Sequence, residues 1–344
     1  MAERAQLDSI ALEVAERVRA EDLSLAVLGD LILDVTVEGD RGGEHPETGV
    51  SLLKNASSQE SIGGAGNVAL ALSRLGVPMT VFSIVGADLP GRQLVETQAR
   101  LPFKAHVVTY RGWPTPKKQW IYERGPEAAC LVRRIDFDQP LPKEARGQLL
   151  GEFRARFAPG TRVLIVADHG LGALGAETAE AISLARAAGA KVVAIPRTPL
   201  EQYESVDVLV PNPTEMRELV GLAGKGEAQD AAVRFAREHG VTVFLTQGRQ
   251  GLFVCCPAQD VAQLVSGKPV DHPQKMGARD MTLAIVALGM GLELPVLTIA
   301  ELANAFAGLV VRQRGNGVVF WHDLFQSLGI PASRLPGAVS VPSK

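Results

Sequence analysis

No stretch approaches the roughly 18 consecutive apolar residues that a membrane-spanning helix needs, so no span is expected. Cysteine is scarce. The three present, Cys130, Cys255 and Cys256, form no metal or redox spacing, and a vicinal pair rarely bonds to itself, which fits a reducing cytoplasm. The six histidines stand singly, with no HExxH pattern, so each is expected to be a surface or satisfied core histidine rather than a zinc ligand. Excess charge of either sign is also missing: a formal charge of -3 gives no global electrostatic case for nucleic acid or an anionic membrane. A small molecule is then the expected partner. Neither a Walker A sequence nor a GxSxG elbow occurs.

What is there is ordinary for a globular chain, with 46% apolar and 21% charged residues. At 344 residues it is long enough for one large α/β domain or two, and no linker divides it. The first 23 residues carry apolar positions at helical spacing interleaved with acids, which predicts an N-terminal helix and not the apolar core of a signal peptide. Residues 24–330 then read as one domain, followed by a tail over 331–344.

Within that domain, apolar β-type runs at 25–29, 79–86, 162–168, 191–195, 206–211 and 241–246 alternate with helical patterns near 65–76, 90–100, 143–157, 174–188, 226–239, 277–292 and 298–314. This βαβ rhythm predicts a mainly parallel sheet covered by helices on both faces, with ligands at the carboxyl ends of its strands. Residues 31–54 and 105–138 break the rhythm with alternating apolar positions and read as antiparallel ribbon, forming a small β lid or a dimerisation edge.

Five segments carry candidate chemistry. Gly64 to Ala69, within Gly63-Gly64-Ala65-Gly66-Asn67-Val68-Ala69, formally matches a G-x-G-x-x-A dinucleotide fingerprint. It follows a polar stretch and not the first buried strand, a context that disfavours a nicotinamide-dependent oxidoreductase. These glycines would equally let a substrate lie against the backbone while Asn67 bonds a hydroxyl, or form a tight turn capped by Asn67. Asp34, ending the run LILD, is either an acceptor for vicinal sugar hydroxyls or a turn residue. Asn212-Pro213-Thr214-Glu215 follows a strand and suits either oxygen ligation of Mg²⁺ or a helix cap with Pro213 in the first turn. Thr246 to Gly251, with Gly248 between, offers a hydroxyl and glycines to a phosphate, or a hairpin turn. Gly277-Ala278-Arg279-Asp280 opens an apolar helix, where amides attract phosphate charge and an acid can take a proton from an attacking hydroxyl; an acid in a first turn is also favourable in its own right.

In this order, together with VLGDLILD, VGADLPGR, PTPKKQWIY, LVRRIDFD, VADHGLG and ELANAFAGLVV, these segments resemble the PfkB or ribokinase family of carbohydrate kinases. Within it the similarity is to the heptose-phosphate kinases of ADP-heptose synthesis, and it spans about residues 24–320. The resemblance implies a ribokinase-like fold and transfer of the ATP γ-phosphoryl group to a sugar or sugar-phosphate hydroxyl, with Mg²⁺. Carried over by position, Asp34, Gly63, Gly64 and Asn67 would hold the sugar, with Lys118 near a sugar phosphate. Asn212 and Glu215 would organise the metal. Thr246, Gly248 and Gly251 would lie by the nucleotide phosphates, Asn304 near the adenine, and Asp280 would be the base. A homodimer through the β ribbons is also implied.

Departures cluster at the same site. The family's usual D-x-T-G-A-G-D reads Gln274-Lys275-Met276-Gly277-Ala278-Arg279-Asp280, so Arg279 stands where an anion-hole glycine is usual. If that position requires a positive φ, Arg279 is strained by about 1 to 3 kcal/mol. Leu171 and Ile195 replace a usual lysine and aspartate. Either Arg279 and Lys275 supply positive charge in place of the lost amides and the enzyme works, or the site is degenerate and binds without efficient transfer.

Overall fold

The computed structural model describes residues 2–334 apart from 126–128, 198–199, 222–226, 269, 271–272, 274–275, 314–316, 318 and 332–333. Gln274, Lys275 and nearly all of the expected tail lie outside the described residues.

The chain opens with α1 (Ala2–Ala20) and the buried strand β1 (Leu25–Gly29), then leaves the main sheet through the long hairpin β2 (Leu31–Glu44) and β3 (Ser51–Gly64). It returns through α2 (Ala65–Arg74), β4 (Met79–Gly86), α3 (Leu89–Gln98) and β5 (Lys104–Tyr110), and departs again for β6 (Lys117–Glu123) and β7 (Cys130–Phe137). The regular half follows: α4 (Lys143–Arg156), β8 (Val163–Ala167), α5 (Glu177–Ala187), β9 (Lys191–Ile195), β10 (Val208–Leu209), α6 (Pro213–Leu219), α7 (Ala228–His239) and β11 (Thr242–Thr246). A hairpin of β12 (Gly251–Cys256) and β13 (Val261–Ser266), then α8 (Ala278–Gly291), α9 (Val296–Val310) and α10 (Trp321–Leu328), complete it.

Nine strands form one sheet in the order β13-β12-β11-β10-β9-β8-β1-β4-β5, parallel from β11 to β5, with β12 and β13 added antiparallel. Alternate residues of each buried strand feed opposite cores: Leu25 and Val27 pack with α2, α8 and α9, while Ala26 and Leu28 pack with α4, α5 and α7. The expected α/β architecture with helices on both faces is the observed one. β1 and β8 lie close because Gly29 carries no Cβ; one built there would sit 2.3 Å from the Ala167 carbonyl oxygen.

The ribbon segments need correction. The second sheet, in the order β3-β2-β6-β7, runs on to Gly64, past the expected boundary at residue 54, and β2 pairs with β6 in parallel. Residues 104–110 are not part of it; as β5 they pair in parallel with β4 at the edge of the main sheet. The polar composition of 55–61 hid a strand whose residues are mostly exposed. No helix among the described residues is long and apolar enough to cross a membrane.

Candidate active site

The two sheets are joined at Asp30, which lies between β1 and β2 and is 1% exposed. Its main-chain oxygen accepts from Ala65 N at 2.9 Å, where the chain re-enters through α2. Its carboxylate accepts from the backbone N–H groups of His169 (2.9 Å), Leu171 (3.3 Å) and Ala173 (2.9 Å) in the loop after β8. Asp168, equally buried, accepts from Gly170 N at 2.7 Å and the Tyr203 hydroxyl at 2.6 Å. Burial, and then the Asp168 charge, hold the Asp30 carboxyl above its usual range against the pull of those backbone donors. The seam between β1 and β8 is where the winding direction reverses, the usual ligand crevice of an open α/β sheet.

On one side of this crevice stands the second sheet. Asp34 is a mid-strand residue of β2, 6% exposed, and not a turn. Pairing register puts Ser61, Asp34, Lys118 and Asp136 in one row across the four strands. The Asp34 carboxylate rests on Gly63, where a Cβ would lie 2.1 Å from Oδ2, and Trp120 Nε1 donates to its Oδ1 at 3.1 Å. Burial, then Arg134, lower the Lys118 ammonium below its usual range, while Asp34, Asp136 and Asp280 oppose that shift. Asn67 is not a helix cap: Gly64 is the N-cap of α2, and Asn67 lies inside its first turn. Asn67 Nδ2 donates instead to Asp280 Oδ2 at 2.7 Å. The fingerprint match from Gly64 to Ala69 follows β3 of the second sheet and not β1, so it lacks the dinucleotide-binding context.

Opposite stands the first turn of α8. Gly277 is its N-cap with φ 76°, whereas Arg279 is absent from the positive-φ residues, so the strain anticipated at Arg279 does not arise. Asp280 is 14% exposed; burial raises its carboxyl to about 6, the Asp34 charge adds to the rise, and Asn67, Arg279 and Lys118 oppose it. Beyond α8 lies a cavity of about 290 Å³ whose lining includes Thr246, Gly248, Gly251, Asn304, Ala278 and Arg279. All four residues expected near the nucleotide therefore meet in one hollow. Asn304 is anchored there by donating to Val265 O at 2.7 Å, and Thr246, the last residue of β11, donates its hydroxyl to Pro211 O at 3.2 Å.

The expected metal pair is engaged otherwise. Asn212 and Glu215 form a capping box: Asn212 Oδ1 accepts from Thr214 N and Glu215 N, and Glu215 Oε2 accepts from Asn212 N at 2.9 Å. Arg279 then clasps Glu215 with both terminal nitrogens, Nη1 to Oε1 at 2.7 Å and Nη2 to Oε2, and Arg197 Nε lies 3.2 Å from Oε1. With Glu215 3% exposed and both oxygens taken by guanidinium groups, the pair as arranged here does not fit a Mg²⁺ ion. No cluster of three or more His, Cys, Asp or Glu side chains suited to a metal occurs among the described residues.

One further residue belongs to the site. His169 Nε2 is buried without a hydrogen-bond partner, 3.9 Å from Asp280 Oδ1, so this histidine is neither a surface nor a satisfied core residue. Burial, then the charges of Lys118, Arg279 and Arg197, push its pKa down to about 3, which keeps the ring neutral. Its one sequence signal is its place directly after the strand RVLIVAD.

A family model described as pfkB family carbohydrate kinase matches residues 22–322. Among curated proteins the chain is similar to the "Bifunctional protein HldE" of Mesorhizobium japonicum, 32% identical over 316 residues, covering 89% of this chain and 62% of that protein. The protein of the same name from Shewanella amazonensis is 28% identical, covering 90% and 64%. The chain thus spans less than two thirds of the length of these relatives. Among solved structures, phosphofructokinase-2 from Escherichia coli in complex with potassium superposes with a TM-score of 0.72 at 17% identity, covering 89% of this chain and 98% of that one. Arabidopsis thaliana ribokinase complexed with ribose and ATP gives 0.66 at 18%, covering 90% and 100%.

The raised Asp280 carboxyl has a consequence for stability. Its folded value of about 6 exceeds the ordinary 3.8, so its contribution is fully present below about pH 4 and is lost as pH rises through 6. Above that, the ionised carboxylate costs about 2 to 3 kcal/mol. Asp280→Asn is therefore expected to melt several degrees above wild type at pH 7.5, with the gap closing near pH 4. A variant that melts below wild type at pH 7.5 contradicts this assignment of strain to Asp280.

Proposed function

We propose, from the premise that this chain belongs to the pfkB family of carbohydrate kinases, that it transfers the γ-phosphoryl group of ATP to a hydroxyl of a sugar phosphate of the heptose class, with Asp280 as base. The observation that carries the proposal is the position of Asp280: in the first turn of α8, hydrogen-bonded to Asn67 in the first turn of α2, with its neighbours Ala278 and Arg279 lining the cavity beyond. The acceptor hydroxyl loses its proton to Asp280 as its oxygen bonds to the γ-phosphorus. The bond from that phosphorus to the bridging oxygen breaks, and ADP leaves with the electron pair. First-turn amides of α8 have no intrahelical partner and stabilise the charge on the transferring group.

Asp34, Gly63, Gly64 and Asn67 hold the sugar in this reading, and Lys118, in register with Asp34, meets its phosphate. Thr246, Gly248, Gly251 and Asn304 receive the nucleotide. The heptose class rests on likeness to the curated relatives, and ATP on the family. Asn212 and Glu215 are assigned no metal, since their side-chain oxygens are committed to the cap and to arginine. The second sheet would also join two chains: β3 and β7 are its edges, and Leu131, Val132 and Phe137 of β7 are exposed. Light scattering at micromolar concentration should then give the mass of two chains; the mass of one chain contradicts the dimer.

ADP release coupled to a panel of sugar phosphates tests the transfer. A heptose phosphate should give turnover that Asp280→Asn lowers by roughly 10² to 10⁴. Wild-type kcat/KM should fall tenfold per pH unit below about 6, as Asp280 protonates. Absence of turnover across the panel, with melting still raised by sugar phosphate, would replace this reading with an impaired binder, in keeping with buried Leu171 and Ile195 at positions usually polar in related kinases.

A further inference from the structure

The residue at the family's glycine position is not merely tolerated; it is built into a charged cluster. Arg279 reaches from the first turn of α8 to Glu215 on α6, 64 positions away in sequence, and its Nη2 also donates to Val210 O at 3.2 Å. Arg197, from the loop after β9, adds a second guanidinium to the same carboxylate. Two positive charges on one negative leave the cluster with a net positive charge. Arg279 Nε is buried with no hydrogen-bond partner, and the residue lines the 290 Å³ cavity that also holds Thr246, Gly248 and Asn304. A cation is thus already present, covalently attached, where Glu215 would otherwise draw a divalent ion toward the phosphates. A divalent ion added next to it would meet both the guanidinium charges and a carboxylate with no free oxygen.

We infer that Arg279, held by Glu215, takes over the electrostatic role of a Glu215-bound divalent cation, so that this chain binds the phosphates of its nucleotide without needing Mg²⁺. The inference rests on the kinase reading for the identity of the anion, and it concerns binding alone. Arginine suits the role because its charge is permanent and its planar fork donates to a carboxylate and a further acceptor at once.

Titration calorimetry with ADP, in excess EDTA and again in millimolar MgCl₂, tests it without turnover. Wild type should bind ADP in EDTA with a Kd within about threefold of the MgCl₂ value. Arg279→Gly frees Glu215 on one side and removes a positive charge, so ADP affinity in EDTA should drop by about tenfold or more, with MgCl₂ restoring part of it. If the glycine variant does not fold, Arg279→Gln keeps a helix former at that position and is expected to behave likewise. Wild-type binding that requires MgCl₂ overturns the inference and leaves the kinase reading standing. So does an arginine-free variant that binds ADP in EDTA as tightly as wild type, or more tightly. Failure of wild type to bind ADP in either solution overturns both.

Discussion

Where β1 gives way to β2, a single buried carboxylate bonds three backbone N–H groups of the loop after β8 while its own carbonyl receives the start of α2. Asp30 thus ties together the main sheet, the point where the second sheet leaves, the point where the chain returns, and the loop that carries His169. An ionised carboxylate away from water is costly unless its lone pairs are filled, and here backbone donors fill them. Ser83 reinforces the joint, donating to Gly29 O at 2.6 Å and accepting from Leu31 N. These bonds set the point at which the second sheet leaves the main sheet beside the crevice.

Onto that frame the first turn of α8 brings two opposite charges at consecutive positions. A helix turns by roughly 100° per residue, so Arg279 and Asp280 look in different directions. Asp280 meets Asn67 and the neutral His169; Arg279 meets Glu215. The carboxylate is destabilised by burial and the guanidinium is neutralised in part, so the site keeps a basic oxygen toward Asn67 and a positive charge by the cavity. Ion pairs this buried add little net stability, because desolvation offsets the attraction, and their worth lies in where they hold charge.

Much of this was legible in the sequence because parallel strands buried on both faces read as continuous apolar runs. The segment 191–195 became β9 without change, and the helices expected at 65–76 and 143–157 became α2 and α4 with ends trimmed by one or two residues. The second sheet was harder, since its edge strands β3 and β7 are exposed along much of their length, and β3 ends in the glycines that the sequence presents as a loop. Glycine and acid at 277–280 pointed to the site, but the partner of Arg279 could not be read. Asn212 to Glu215 gives the same local pattern for a cap and for a metal pair, and the structure has the cap. Asp30 and His169 were missed for a related reason: a lone acid after a strand and a lone histidine acquire meaning only when distant strands bring them to one crevice.

The proposed reaction moves phosphorus from ATP to a sugar hydroxyl at Asp280. Phosphorus NMR of the protein with ATP and a heptose phosphate follows it directly. A new phosphate-ester resonance should grow in step with ADP, one for one. Growth of inorganic phosphate in its place, or an unchanged ATP spectrum, contradicts it.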